Sequence, residues 1–432
     1  MKDSFFTLKE KIIDNHLCTS CGACKGICPK QIISFADREN KCIPYLTGEC
    51  IECGMCYHAC VAGGLDFEEL RKTQNKLQGV KKLPADESYF ICHAKDPLIW
   101  KNGASGGFVT SALLYALKRG IIKHVVVITN DIEKPWLPMP LLAHTEEEII
   151  GAMQSKYCVV PTLEALSEVK KVKEPVALVT LPCQAQAMMN IRKRFPNMFT
   201  NIVLIIGLMC GNSLPFAATK DVLEHIGISD INDIIDLKYR DGLWHGDLHV
   251  RLKDGTEKGV PYVKYMRYMG DFYRKSRCKM CVDGDAMFSD ISSGDGWLPL
   301  KKQDNVYGWS IVHTHTEVGE QLFREMQADG ILDVVKISEK DALQMKHMYK
   351  RHYSSVPRIE YKRKKGIAVP NYLGLHYPQG IVCRKALLKK ELVDFGQSIL
   401  FAPITRKMLR IIPLGIKSGF LEKLLKFWFK EK

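Results

Sequence analysis

CTSCGACKGICP (residues 18–29) and CIECGMCYHAC (residues 50–60) set out one spacing twice: a cysteine, a second after two residues, a third after two more, and a fourth after three. Two intervening residues let a tight loop wrap its thiolates round one face of an iron–sulfur cube. The fourth cysteine is out of reach of its own cube and completes the other. The spacing therefore assigns Cys18, Cys21, Cys24 and Cys60 to one [4Fe–4S] cluster and Cys50, Cys53, Cys56 and Cys28 to a second. A zinc or disulfide framework fits poorly, because zinc sites draw their ligands from two pairs rather than two runs of four.

On these runs, residues 13–66 resemble a bacterial-type ferredoxin, which carries electrons one at a time. The whole chain has 432 residues and a hydrophobic content of 46%, enough for more than one globular unit with its own core. No apolar run reaches the roughly 20 residues that a spanning helix needs. The opening MKDSFFTLKEKIIDNHL mixes acids with bases and lacks the apolar core of a secretory leader. With 16 cysteines, half of them in cluster spacing, the chain suits a reducing compartment and is expected in the cytoplasm.

The net charge of +14 sits at one end. Residues 341–432 hold 20 Lys and Arg against 6 Asp and Glu, which leaves the first 340 residues balanced at 42 of each. Near the C-terminus Phe420, Leu421, Leu424, Leu425 and Trp428 share one helical face, with Lys423, Lys426 and Lys430 elsewhere on the surface. A basic helical tail of this kind is expected to pack on the protein or a partner, or to lie peripherally on an anionic membrane. No nucleic-acid module accompanies it, so nucleic acid is not an expected partner.

Between these ends strands and helices alternate. Short β-branched runs occur at 125–129, 176–181 and 202–208, and helical periodicity at 107–118, 163–171, 184–194, 214–226 and 317–329. This predicts an α/β body with at least some parallel sheet. Residues 234–263 read instead as antiparallel strands, with a turn at Asp254–Gly255. Cys183 and Cys210 each follow a predicted strand, and strand C-termini in such a sheet face a common crevice. Cys278 and Cys281 form a C-x-x-C pair that fits a third four-cysteine site, a redox pair, a zinc half-site or a buried pair. Cys42, Cys92, Cys158 and Cys383 lack ligand spacing and read as core or surface residues.

Six stretches, ASGGFVTSALLYALKRGII (104–122), SKYC (155–158), LPCQAQAM (181–188), CGNS (210–213), CKMCVDGDAMFSDISSGDGW (278–297) and GWSIVHTHTEVGEQL (308–322), carry a family likeness in order. They resemble the beta subunits of coenzyme F420 hydrogenases and dehydrogenases, which are iron–sulfur flavoproteins that bind FAD and are found with fused ferredoxins. The resemblance implies that Cys183, Cys210, Cys278 and Cys281 hold a third cluster near the flavin. It divides the chain into a ferredoxin-type α+β unit (1–70), a linker (71–88), the two parts of the α/β flavin body (89–172 and 173–340) and the basic tail (341–432). One departure is that Thr180-Leu181 precedes Pro182-Cys183 where the family commonly has Gly-Thr.

The cofactor residues follow from the same motifs. Gly106 and Gly107 open a helix after Ser105, so its N–H groups and positive end suit a diphosphate, with Ser105 and Thr110 adding hydroxyls. Lys156 adds a cation, and Asp290, Gly294 and Asp295 form an acidic turn that the resemblance places beside the cofactor. His245, His313 and His315 are candidate proton donors. The expected function is an FAD-containing oxidoreductase that links a hydride carrier, coenzyme F420 or an analogue, to single-electron clusters or a redox partner protein. Two alternatives are a ferredoxin-driven reductase of an organic substrate and a non-catalytic electron relay.

Overall fold

The computed structural model of the chain describes residues 3–38, 40–78, 89–297, 306–338, 341 and 348–375. The N-terminal segment holds a hairpin of β1 (Ile33–Ala36) and β2 (Ile43–Leu46), then β3 (Gly64–Asp66). The body contributes β4 (Tyr89–Ala94), β5 (His124–Asn130), β6 (Pro138–Ala143), β7 (Val176–Thr180) and β8 (Ile202–Leu208). A three-stranded antiparallel sheet follows, made of β9 (Ile234–Asp241), β10 (Asp247–Leu252) and β11 (Glu257–Pro261). The last strands are β12 (Ile291–Asp295), β13 (Ser310–Thr314), β14 (Leu332–Lys336) and β15 (Asn371–Leu373).

Eight strands form the central sheet in the order β14-β4-β13-β12-β8-β7-β5-β6. Its middle is parallel, with β5 beside β7, β7 beside β8 and β8 beside β12, and its flanks are antiparallel. The mixed α/β architecture is the one expected. In β7, Ala177 faces one layer, with the helix Phe108–Lys118 and the helix Glu317–Ala328, while Val176 and Leu178 face the other, with the helix Pro182–Arg194. A strand covered on both faces has no polar side to show, which is why VALVT reads as a continuous apolar run.

The N-terminal segment is built into this body. Its short helices Ala23–Ile27 and Met55–Ala59 pack on each other, and the first also packs on the turn at Thr162–Ala165. A Cβ on Gly22 would meet Pro161 O at 2.3 Å, and one on Gly26 would meet Leu163 O at 2.0 Å. Lys25 and Arg38 both reach the buried Glu164 at 2.8 Å. Phe5, Leu8 and Ile33 share one apolar cluster with Val159, Met189 and Phe288 of the body.

Two expected boundaries shift. Residues 71–78, read as the start of a linker, continue the helix Phe67–Gln78, because Leu70 and Gln74 bury one face of it and Gln74 Nε2 donates to Met287 O and Ser289 O. Residues 348–375, read as part of the tail, return to the body through the helix Met348–Lys364 and through β15, which pairs in parallel with β3. Ser355 Oγ donates to Cys281 O at 2.8 Å, so this return covers a cysteine loop. The amphipathic stretch 420–428 lies outside the described residues, as do 79–88. No helix among the described residues is long and apolar enough to cross a membrane.

Gly26→Ala is expected to lower stability by about 1–3 kcal/mol, because the added methyl meets a backbone carbonyl that cannot rotate away. Thermal unfolding and protease access to the N-terminal segment read the effect. Gly151→Ala, where an added Cβ meets nothing within 4 Å, should leave both unchanged.

Candidate functional site

Each ferredoxin-type run curls because a glycine in the left-handed region, Gly22 at φ 93° or Gly54 at φ 72°, opens a five-residue helix that carries the third cysteine. The fourth cysteine follows each helix in extended backbone and is turned away from its own run. One cavity is lined by Cys18, Cys21, Cys24 and Cys60, the other by Cys50, Cys53, Cys56 and Cys28. This is the crossed grouping drawn from the spacing. Burial first, then the thiols of Cys21, Cys18, Cys60 and Cys56, push Cys24 well above the usual thiol range. Burial and then Cys50 push Cys56 up to about 12. Apolar walls from Leu8, Ile12 and Phe35 on one side and Ile32, Ile33 and Leu46 on the other limit water at both cavities.

The remaining set also converges. Cys183 stands in the first turn after β7, Cys210 two residues after β8, and Cys278 and Cys281 flank a single 3-10 turn. Burial, then Cys21, Cys210, Cys281 and Cys278 in that order, push Cys183 well above its usual range. Cys210 N donates to Gly284 O at 2.9 Å, which ties the β8 loop to the C-x-x-C loop. Cys42, Cys92 and Cys158 are buried among apolar neighbours, as expected, and Cys383 lies outside the described residues.

The ASGG turn packs where β4 ends and β13 begins. Ser105 Oγ donates to Trp309 O at 2.6 Å, and a Cβ on Gly106 would overlap Ser310 N at 2.4 Å. A Cβ on Gly107, at φ 75°, would meet Ile99 O at 2.9 Å. Both glycines therefore serve close packing of the turn on the body, and the Ser105 hydroxyl is spent inside it. The helix Phe108–Lys118 nevertheless starts without a capping side chain, so its first-turn N–H groups keep the anion-accepting character expected, with the half-buried Thr110 beside them.

Asp290 departs from its expected role. It is fully buried, with Thr316 Oγ1 and Ile205 N donating to its two oxygens at 2.7 and 2.8 Å, and burial raises its pKa. It clamps the helix Glu317–Ala328 to the sheet, and both carboxylate oxygens are engaged within the fold rather than offered to a cofactor. Gly294 and Asp295 lie in the strand β12 rather than in the expected turn; Gly294 packs on Met209, and Asp295 pairs with Arg240. The Thr180-Leu181 departure is absorbed without strain, since Leu181 is extended at φ −78° and its N–H donates to Gln184 Oε1 at 2.7 Å.

Asp295 reveals residues that motif reading missed. Arg240 Nη1 reaches Asp295 at 3.1 Å and Tyr157 Oη at 3.0 Å, and its guanidinium lies 4.6 Å from the Tyr262 ring. Arg240 is 3% exposed, yet its Nη2 has no hydrogen-bond partner, and neither has the buried Nε1 of Trp244. Orphaned buried donors are costly and call for an acceptor from water or from a ligand. The rings of His245 and Trp297 stack 4.7 Å apart, with Trp244 beside them. Burial and the Arg240 cation hold His245 below the usual histidine range. The one visible signal was the dense YRDGLWHG at 239–246.

Residues 89–167 match the N-terminal model, and residues 173–340 the C-terminal model, of the coenzyme F420 hydrogenase/dehydrogenase beta subunit. The chain belongs to that family. It is 29% identical over 343 residues to a subunit of the F(420)H(2) dehydrogenase of Methanosarcina mazei, covering 76% of this chain and 86% of that one. It is 28% identical over 359 residues to a coenzyme F420-dependent sulfite reductase of Methanocaldococcus jannaschii, spanning 79% of this chain but only 51% of that longer protein. In fold it resembles a chain of the F420-reducing [NiFe] hydrogenase complex of Methanosarcina barkeri, with a TM-score of 0.52 and 23% identity over 68% of this chain and 96% of that one.

Lys156, beside Tyr157, donates to Ala152 O and Met153 O at 2.7 Å. Burial of its ammonium lowers the pKa to about 7. Above that value the folded chain holds Lys156 neutral, while an unfolded lysine stays charged to about pH 10.4. Stability should therefore rise with pH through this window. In chemical unfolding between pH 7 and 9, Lys156→Met is expected to lose that part of the slope.

Proposed function

We propose that the chain is an oxidoreductase exchanging electrons between a hydride carrier of the coenzyme F420 class and [4Fe–4S] clusters through FAD. The observations that carry this reading are a four-cysteine convergence after the central strands β7 and β8 and, about Asp295 at the end of β12, buried N–H donors without partners. When bound, FAD would take electrons in pairs and the clusters singly, which joins two-electron to one-electron chemistry.

The chain's own residues have definite parts in this. Cys183, Cys210, Cys278 and Cys281 would hold the third cluster, and Cys21, which acts on Cys183, belongs to the next set. Arg240, braced by Asp295 and Tyr157, offers Nη2 to an electron-rich acceptor on a ring system. Trp297, His245 and Trp244 give that ring aromatic walls and limit water. The uncapped helix start at Phe108 suits a diphosphate, which favours FAD over FMN. At the far end Cys53 and Ile51 are exposed beside the second ferredoxin cavity, a fitting place for a redox partner protein to dock.

The names of relatives favour F420 as the carrier, among them the beta subunit of F420-dependent formate dehydrogenase 1 of Methanococcus maripaludis, 24% identical over 333 residues. Flavin released by mild denaturation of anaerobically purified protein should be FAD at about one per chain. Reduced F420 should bleach the bound flavin, whereas NADH should not. Arg240→Met is expected to weaken ring binding by about 1–3 kcal/mol through the lost charge-assisted contact. FMN alone, or no flavin at stoichiometric level, contradicts this reading.

A further inference from the structure

His313 lies on β13 and His315 one residue past its end, and the two side chains come together there. The loop that follows Cys281 brings Asp285 beside them. One ligand atom from each of Asp285, His313 and His315 lies within 4.8 Å of the others. Asp285 Oδ2 is 2.9 Å from His313 Nδ1, with side-chain exposures of 7% and 16%. Tyr89 stacks on His313 at 4.0 Å, and the two imidazoles lie 4.1 Å apart. None of these residues belongs to the three cysteine sets.

We propose that Asp285, His313 and His315 form a further metal site, for a first-row dication of the Zn2+ class. Two imidazoles and one carboxylate are the donor set such an ion takes, and three protein ligands leave a position open for water. With metal–ligand bonds of about 2.0–2.2 Å, tetrahedral ligands stand roughly 3.5 Å apart. The ligand atoms here lie 2.9 Å apart in one pair and no more than 4.8 Å apart in the others, near that distance. Ser292 Oγ, 2.9 Å from His315 Nε2, supplies the kind of outer hydrogen bond that fixes the ring of a metal-bound histidine. Arg71 is a second cation acting on Asp285, and it limits the affinity without blocking the imidazoles. Asp285 follows Cys281 closely, and the adjacent Gly284 O accepts from Cys210 N. A dication here would pin the cysteine loop to β13.

The test uses the full chain with its clusters in place, titrated with zinc sulfate, gel-filtered, and assayed for zinc and iron together. About one zinc per chain should be retained with iron unchanged. Asp285→Asn and His315→Gln should each lose it, and Ser292→Ala should weaken binding by about 10–100-fold. Asp285→Asn preserves volume, so it decides the question if the histidine variant misfolds. No retained zinc in the wild type, zinc gained only at the expense of iron, or equal zinc in the wild type and Asp285→Asn would overturn the proposal.

Discussion

Backbone lies directly on backbone where Gly22 and Gly26 meet the Pro161–Leu163 turn, and the rest of the molecule depends on that contact. Any side chain at either glycine would separate the N-terminal segment from the body. With the contact made, Cys21 comes close enough to act on Cys183, and cysteines of both ferredoxin-type runs share an apolar cluster with Met280 and Val282 of the C-x-x-C loop. Glu164 locks the joint by accepting both Lys25 and Arg38. The N-terminal cysteine-rich segment is thus a part of the body's core, and its position is set by packing.

Charge decides how the three cysteine sets must work. In each, burial raises thiol pKa values and neighbouring thiols raise them further, so apolar walls and mutual repulsion both oppose a bare thiolate. In the proposed reading iron would supply the opposing charge, because a coordinating thiol is deprotonated outright. Arg240 is arranged the other way. Burial opposes its charge, but Tyr157 and Asp295 more than offset that and hold it firmly cationic. The cysteine sets thus favour a bound cation, whereas Arg240 is itself the cation of its own cluster.

The crossed cysteine grouping was legible because it depends on short-range spacing, and the strands β5, β7 and β8 because both their faces are buried. The antiparallel sheet of β9 to β11 was legible from its turns. The placement of Cys183 and Cys210 followed from where strand ends must face. What stayed hidden depends on distant partners. Nothing near Asp290 announces that Ile205 and Thr316 will consume its carboxylate. Nothing near Arg240 announces Asp295 or Tyr157. The ASGG glycines looked like room for phosphate, whereas their missing Cβ atoms serve the approach of Ser310, Cys92 and Ile99. The return of β15 to β3 joins segments some 300 residues apart, a pairing that local pattern does not encode.

The central claim is that three cysteine sets, two of them crossed, form one cluster-holding interior. Mössbauer spectroscopy of 57Fe-grown protein, with iron counted per chain, tests it most directly. The account predicts about twelve iron atoms in three four-iron clusters, falling to about eight in Cys210→Ala with the two ferredoxin-type signals retained. About eight iron in the wild type, or loss of a ferredoxin-type signal on changing Cys210, would contradict it.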